Sequence, residues 1–284
     1  ESQSSEETSQ QLLKLYKAKR FLDLIALCRI AIQRYPHDYT LWNFLGITKN
    51  CLGRSDEALS AFRKAVNLNP QFVDGLNNLG VVLKSLGRID EAIETYHASC
   101  AITPENADSY FNLALAFQYK GLISDAELAY KKAILIKPSY AEAYNNLGNI
   151  LYDRGNVRDA ERFYSKASKL KSEYTDALFN LGKINMTLGK LSEACSVFSK
   201  ILKFSPHHRK AFVSLAIALR LQMKLDEALR VCMRALEIAP NYPEIYLARG
   251  NIFVEDGNFE GAKDDFQKAI SISPKNAKAL YNMG

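Results

Sequence analysis

Along residues 39–72 the apolar and small positions fall in two clusters, Trp42, Leu45 and Gly46, then Ala58, Phe62 and Ala65. Their spacings of three and four residues are those of a helix face, and the stretch closes at Pro70. The arrangement returns every 34 residues. Pro36, Pro70, Pro104, Pro138, Pro206, Pro240 and Pro274 stand on one 34-residue grid, with Ser172 at its vacant node. A period of this length means one supersecondary unit repeated, so the 284 residues read as an array and not as two globular domains.

Within each repeat the eighth position is small: Gly46, Gly80, Ala114, Gly148, Gly182, Ala216, Gly250 and Gly284. The twentieth is Ala seven times running, at 58, 92, 126, 160, 194, 228 and 262. Small residues on two facing helices let the backbones approach, and bulky neighbours interlock around the contact. Each repeat is therefore predicted to be a helical hairpin, helix A over about the first fourteen positions and helix B over about positions eighteen to thirty. Gly53, Gly87, Gly121, Gly155, Gly189 and Gly257 mark the turn between them, where positive φ is needed. Asp56-Glu57, Asp90-Glu91, Asp125 and Asp226-Glu227 follow, at the positive end of helix B, and the proline at position 32 stops that helix.

The order Trp42, Leu45-Gly46, Ala58, Phe62, Ala65, Pro70 resembles the tetratricopeptide repeat, and the same register runs through repeats starting at 39, 73, 107, 141, 175, 209 and 243. The resemblance implies an all-α fold, a right-handed α-solenoid or superhelix of stacked antiparallel hairpins. On that reading residues 1–284 are one solenoid domain. Its repeats are a degenerate N-terminal one at 5–38, regular ones at 39–72, 73–106, 107–140, 141–174, 175–208, 209–242 and 243–276, and the start of a ninth at 277–284. Leu280, Tyr281, Met283 and Gly284 open that ninth helix A without a helix B to cover it. The expectation is that the parent polypeptide continues into a further domain, or that this edge associates with another molecule, a second copy included.

Composition agrees with a folding chain: 48% apolar, 24% charged, 11% aromatic. No apolar run is long enough to span a membrane. Five cysteines, Cys28, Cys51, Cys100, Cys195 and Cys232, form no C-x-x-C pair, which points to a reducing, cytoplasmic setting. Cys28 and Cys232 occupy the position that holds Phe62, Tyr96, Tyr130, Tyr164, Phe198 and Phe266 in other repeats, so they read as core fillers. His37, His207 and His208 fall in inter-repeat turns and His97 on helix B, none of them set up as a triad would require. Nucleotide and zinc-hydrolase motifs are absent, and neither catalysis, a cofactor nor a metal is expected.

Function is expected on helix A positions that packing does not dictate. Position 6 reads Asn78, Asn112, Asn146, Asn180 and, in the last incomplete repeat, Asn282. Position 2, one turn earlier, reads Asp74, Asp108, Glu142 and Asp176, so each carboxylate shares a helix face with its asparagine. A side-chain amide offers both a donor and an acceptor, which suits the backbone of an extended peptide lying in the concave groove. Phe44, Ser214 and Ala248 interrupt the ladder at position 6. The Asp-x-x-x-Asn pattern resembles the superhelical arm of O-linked N-acetylglucosamine transferases and of bacterial TPR-sulfotransferases. That resemblance implies a recognition arm for protein substrates within a larger protein. A free-standing or self-assembling adaptor is the alternative.

Two other partner classes are weaker. The carboxylate clamp of chaperone co-factors is matched by Asn149, Asn180 and Lys210, but Asn145 and Ser214 stand at its other sites. The net charge of +6 raises nucleic acid, yet the excess is diffuse except over residues 209–242, where Arg209, Lys210, Arg220, Lys224, Arg230 and Arg234 leave a local +3. Acidic residues at position 2 oppose a phosphate track along the groove. One residue breaks the packing rule: Arg249 replaces the leucine of position 7, and it is expected either to snorkel or to pair with a nearby acid such as Glu255 or Asp264.

Overall fold

The computed structural model describes residues 2–274, and every regular element among them is a helix. Sixteen helices group into two compact units, Glu1–Ser139 and Tyr140–Gly284. The first unit pairs α1 (Ser2–Lys17) with α2 (Phe21–Arg34), α3 (Tyr39–Cys51) with α4 (Ser55–Leu68), α5 (Val73–Ser85) with α6 (Ile89–Ile102), and α7 (Ala107–Lys120) with α8 (Ile123–Ile136). The second pairs α9 (Ala141–Asp153) with α10 (Val157–Leu170), α11 (Thr175–Thr187) with α12 (Leu191–Phe204), α13 (Arg209–Leu221) with α14 (Leu225–Ile238), and α15 (Pro243–Glu255) with α16 (Phe259–Ile272). In both units the second helix of each hairpin packs on the first helix of the next, as in an α-solenoid.

The turns explain why the helices stop where they do. Gly53, Gly87, Gly155 and Gly189 all have φ between +72° and +78°, the left-handed conformation that ends helix A. Met223 takes the same conformation, at φ +60°, in the one regular repeat that lacks the glycine. Asp38, Asn106, His208 and Asn258 cap α3, α7, α13 and α16 by accepting backbone N–H groups at 2.9–3.1 Å. That capping accounts for His208.

Six of the described hairpins close over one aromatic side chain, and the α1/α2 and α13/α14 hairpins over Cys28 and Cys232. Tyr96 and Phe198 are wholly buried and face Gly80 and Gly182 so closely that a Cβ there would stand 2.5 Å from the ring. Phe62, Tyr164 and Phe266 lie over Gly46, Gly148 and Gly250 in the same way. Position 8 is Ala216 in the hairpin that carries Cys232 and Ala114 in the one that carries Tyr130, so alanine there does not require loss of the ring. Each buried ring contributes about 1.5–3 kcal/mol of apolar burial. Between repeats, Trp42 Nε1 donates to the carbonyl of Pro36 at 3.0 Å and the Tyr246 hydroxyl to that of Pro240 at 2.9 Å. The aromatic at position 4 thus ties each of these hairpins to the proline before it.

One expectation changes. Arg249 pairs with neither Glu255 nor Asp264: its guanidinium grips Asp265 through two bonds of 2.6 and 2.7 Å, while Glu255 pairs with Arg220. Position 7 faces position 23 across the hairpin, and that is where Asp265 stands, almost fully buried. At the N-terminus α1 starts at Ser2, ahead of the repeat boundary at residue 5, and packs with α2 through Leu12, Leu24 and Cys28. The expected start of a ninth repeat at 277–284, with Asn282, lies outside the described residues.

Candidate functional site

Asn78, Asn112, Asn146 and Asn180 are all half-buried on the first helices of their hairpins. In the first unit Asn78 Nδ2 donates to Oδ1 of Asn43, one repeat earlier, at 3.0 Å. Asn43 is 8% exposed, so this amide is held against the helix stack. Beside it Asn77 donates to Ser109 Oγ at 3.0 Å, and Ser99 and Ser109, both wholly buried, share a bond of 2.8 Å. These bonds between consecutive repeats help fix the register of one on the next.

The second unit carries a tighter version. Asn180 Nδ2 donates to Oδ1 of both Asn145 and Asn149 at 3.1 Å, and Asn145 Nδ2 to Asn146 Oδ1 at 3.3 Å. The Tyr164 hydroxyl donates to Asn149 Oδ1 at 2.8 Å. Burial pushes the Tyr174 phenol up to about 12, with Asp176 and Glu142 adding to the effect and Asn145 opposing it. With both its N–H bonds used, Asn180 presents an acceptor oxygen; Asn78 keeps one N–H and its oxygen.

The carboxylates of position 2 take a different place. Asp74, Asp108 and Asp176 are exposed and join no ion pair among the described residues. Glu142 is half-exposed and pairs with Lys171 at 2.9 Å. Asn78 and Asn180 bond to amides of the preceding repeat and not to these acids, while Asn146 accepts from Asn145 of its own repeat. The amide face therefore carries uncompensated negative charge along its edge.

Asn43 and Asn77 complete the first network and did not emerge from position 6. Their signal was asparagine at position 5, beside Asn78 and Asn146 in Asn77-Asn78 and Asn145-Asn146 but beside Phe44 in the case of Asn43. Among the described residues no group of His, Cys, Asp and Glu is arranged to hold a metal ion. None of the helices described is long and apolar enough to cross a membrane. All five cysteines are unpaired, and burial raises the Cys28 and Cys232 thiols to about 12 and that of Cys100 to about 11.

Hairpins repeated every 34 residues, with a glycine under a ring and a proline under an aromatic, define a helical-repeat scaffold. The chain belongs to the tetratricopeptide repeat family. Models described as tetratricopeptide repeat match residues 39–72, 61–94, 111–172 and 148–208, and one described as TPR repeat matches 82–121 and 250–284. Residues 21–47 match a protein prenyltransferase alpha subunit repeat. Comparison with curated protein sequences finds no match.

Among solved structures, the C-terminal part of a TPR repeat-containing protein from Cytophaga hutchinsonii aligns over 87% of this chain and 99% of its own, at 18% identity and TM-score 0.69. YrrB, a TPR protein with an unusual peptide-binding site, covers 66% of this chain and 97% of its own at 24% identity and TM-score 0.59. The Cut9–Hcn1 hetero-tetramer of the APC/C covers 99% of this chain and 55% of its own at 17% identity and TM-score 0.60. These likenesses are likenesses of fold.

Proposed function

We propose that the chain is a protein-interaction scaffold that holds extended polypeptide segments against the polar face of its first helices. The observation that carries this reading is the pair of half-buried amides, Asn78 and Asn180, each held by amides of the preceding repeat and each keeping bonding capacity that those bonds do not use. Groups already immobilised lose little entropy on binding, and each backbone contact contributes about 0.5–1.5 kcal/mol net. The exposed carboxylates of Asp74, Asp108 and Asp176 favour basic or hydroxyl-bearing segments. YrrB, a TPR protein with an unusual peptide-binding site, and the APC/C hetero-tetramer Cut9–Hcn1 share the fold, which fits a binding role. Unpaired cysteines fit a reducing compartment such as the cytoplasm. The Asp-x-x-x-Asn pattern supports the finer reading of a recognition arm within a larger transferase-type protein.

Replacing Asn78, Asn112, Asn146 and Asn180 together with Ala tests the site. Binding of client segments, read by pull-down, is expected to be lost while the far-UV circular dichroism is retained. Unaltered capture by the folded variant would remove the amide face from the function.

A further inference from the structure

The second unit carries a second surface prepared for a partner, on the opposite side of the helix A layer. Consecutive second helices leave a groove floored by the first helix between them, so three grooves can be compared position by position. The α6/α8 groove encloses about 260 Å³, and His97 stands edge-on to Phe117 there, 5.8 Å between ring centres. The α10/α12 groove encloses about 350 Å³ and is bridged by the Glu161–Lys190 ion pair. The α12/α14 groove encloses about 740 Å³. Ser199 and Leu219 replace His97 and Phe117 there, and Cys195 replaces Glu161, so both the ring that fills the first groove and the acid that bridges the second are gone.

The rim of this groove holds Lys203, Lys224, Arg230 and Arg234 against one acid, Glu227. None of the four cations forms an ion pair among the described residues, whereas Arg63 and Arg88 pair with Glu91 and Lys190 with Glu161 in the other hairpins. Arg234 lies over the Phe212 ring at 5.7 Å. The floor is apolar, built from Leu202, Phe212, Leu215, Leu219 and Val231. Four neighbouring cations repel one another, and an incoming anion relieves that repulsion. The volume falls in the range of ligand-binding clefts.

We infer that the α12/α14 groove docks an acidic polypeptide segment bearing large apolar side chains. The apolar residues of the segment lie on the floor, and its carboxylates meet Lys203, Lys224, Arg230 and Arg234. A nucleic acid would meet the cations alone and leave the apolar lining of the groove without an apolar partner. Floor positions 4, 7 and 11 of α13 lie roughly half a turn around the helix from positions 2 and 6, so this site and the amide face stand or fall separately.

The test uses the whole chain and a fluorescein-labelled 14-residue peptide alternating pairs of Glu with Leu or Phe, followed by anisotropy. Three controls accompany it: the peptide with every Glu changed to Lys, the peptide with every Leu and Phe changed to Ser, and a labelled 15-nucleotide oligouridylate. The acidic-apolar peptide is expected to bind at least about tenfold more tightly than any control, and increasingly weakly as salt is raised. Arg230→Glu with Arg234→Glu should weaken it by about tenfold or more with helical content unchanged, because both side chains are exposed. Ser199→Trp, which fills the groove and leaves every charge in place, should also block it. The quadruple asparagine variant should bind as the parent does. Equal binding by the charge-reversed or groove-filled protein, tighter binding of the oligouridylate, or loss of binding in the asparagine variant would each overturn the assignment.

Discussion

The α5/α6 hairpin of the first unit and the α9/α10 and α15/α16 hairpins of the second share one seam, a glycine under a ring with alanine beside it, yet they treat buried polar atoms differently. In α5/α6 the Tyr96 hydroxyl is buried without a partner. In α9/α10 the equivalent Tyr164 hydroxyl donates to Asn149, and through it joins the Asn145–Asn180 network. In α15/α16 the polar group is a charge, Arg249, answered two-fold by Asp265. The repeat template fixes where a side chain points. Whether a polar one is tolerated there depends on a partner supplied by another position.

The largest effect expected from breaking this comparison is at Asp265. Asp265→Ala leaves the Arg249 guanidinium unpaired in a hairpin seam and should cost about 3 kcal/mol, read as a fall in the urea midpoint. Adding Arg249→Leu, which restores the residue of six other repeats, should recover most of that loss. A smaller loss, about 1–3 kcal/mol, is expected for Gly182→Ala, whose Cβ would meet Phe198 at 2.5 Å. Ala216→Gly, opposite the smaller Cys232, should cost about 1 kcal/mol or less in the same assay.

The two tyrosines sharpen the point at lower cost. Tyr164→Phe removes a hydrogen bond from the asparagine network and should lose about 1 kcal/mol, whereas Tyr96→Phe removes an unsatisfied hydroxyl and should be neutral or gain stability. Equal losses in the two variants would show that the polar partner is irrelevant. Smallest is the turn. Met223→Gly should raise stability by up to about 1 kcal/mol by relieving a left-handed non-glycine residue, while Gly155→Met should lower it by a similar amount.

The helices, their turns and the small-residue seam were legible in the sequence because they repeat. A 34-residue period fixes which positions meet inside a hairpin, and Met223 shows that even the turn conformation survives loss of its usual glycine. The four asparagines of position 6 were legible for the same reason. Their partners were less so, because Asn78 to Asn43 and Asn180 to Asn145 are contacts between residues 35 apart, one position off the repeat. Arg249 likewise announced a need for an acid, and several acids stood near enough in sequence to serve; only the facing of positions 7 and 23 selected Asp265.

What the amino-acid order determined by itself, then, is the hairpin and its register, since these follow from short-range spacing of small, apolar and turn-forming residues. What only the tertiary structure decided is the pairing state of the polar and charged groups on the two faces. The local excess of positive charge in residues 209–242 became a groove only when α12, α13 and α14 brought Lys203, Lys224, Arg230 and Arg234 around an uncrossed apolar floor. Charge is a property of residues, but its neutralisation depends on distances between helices, and those distances are set by packing.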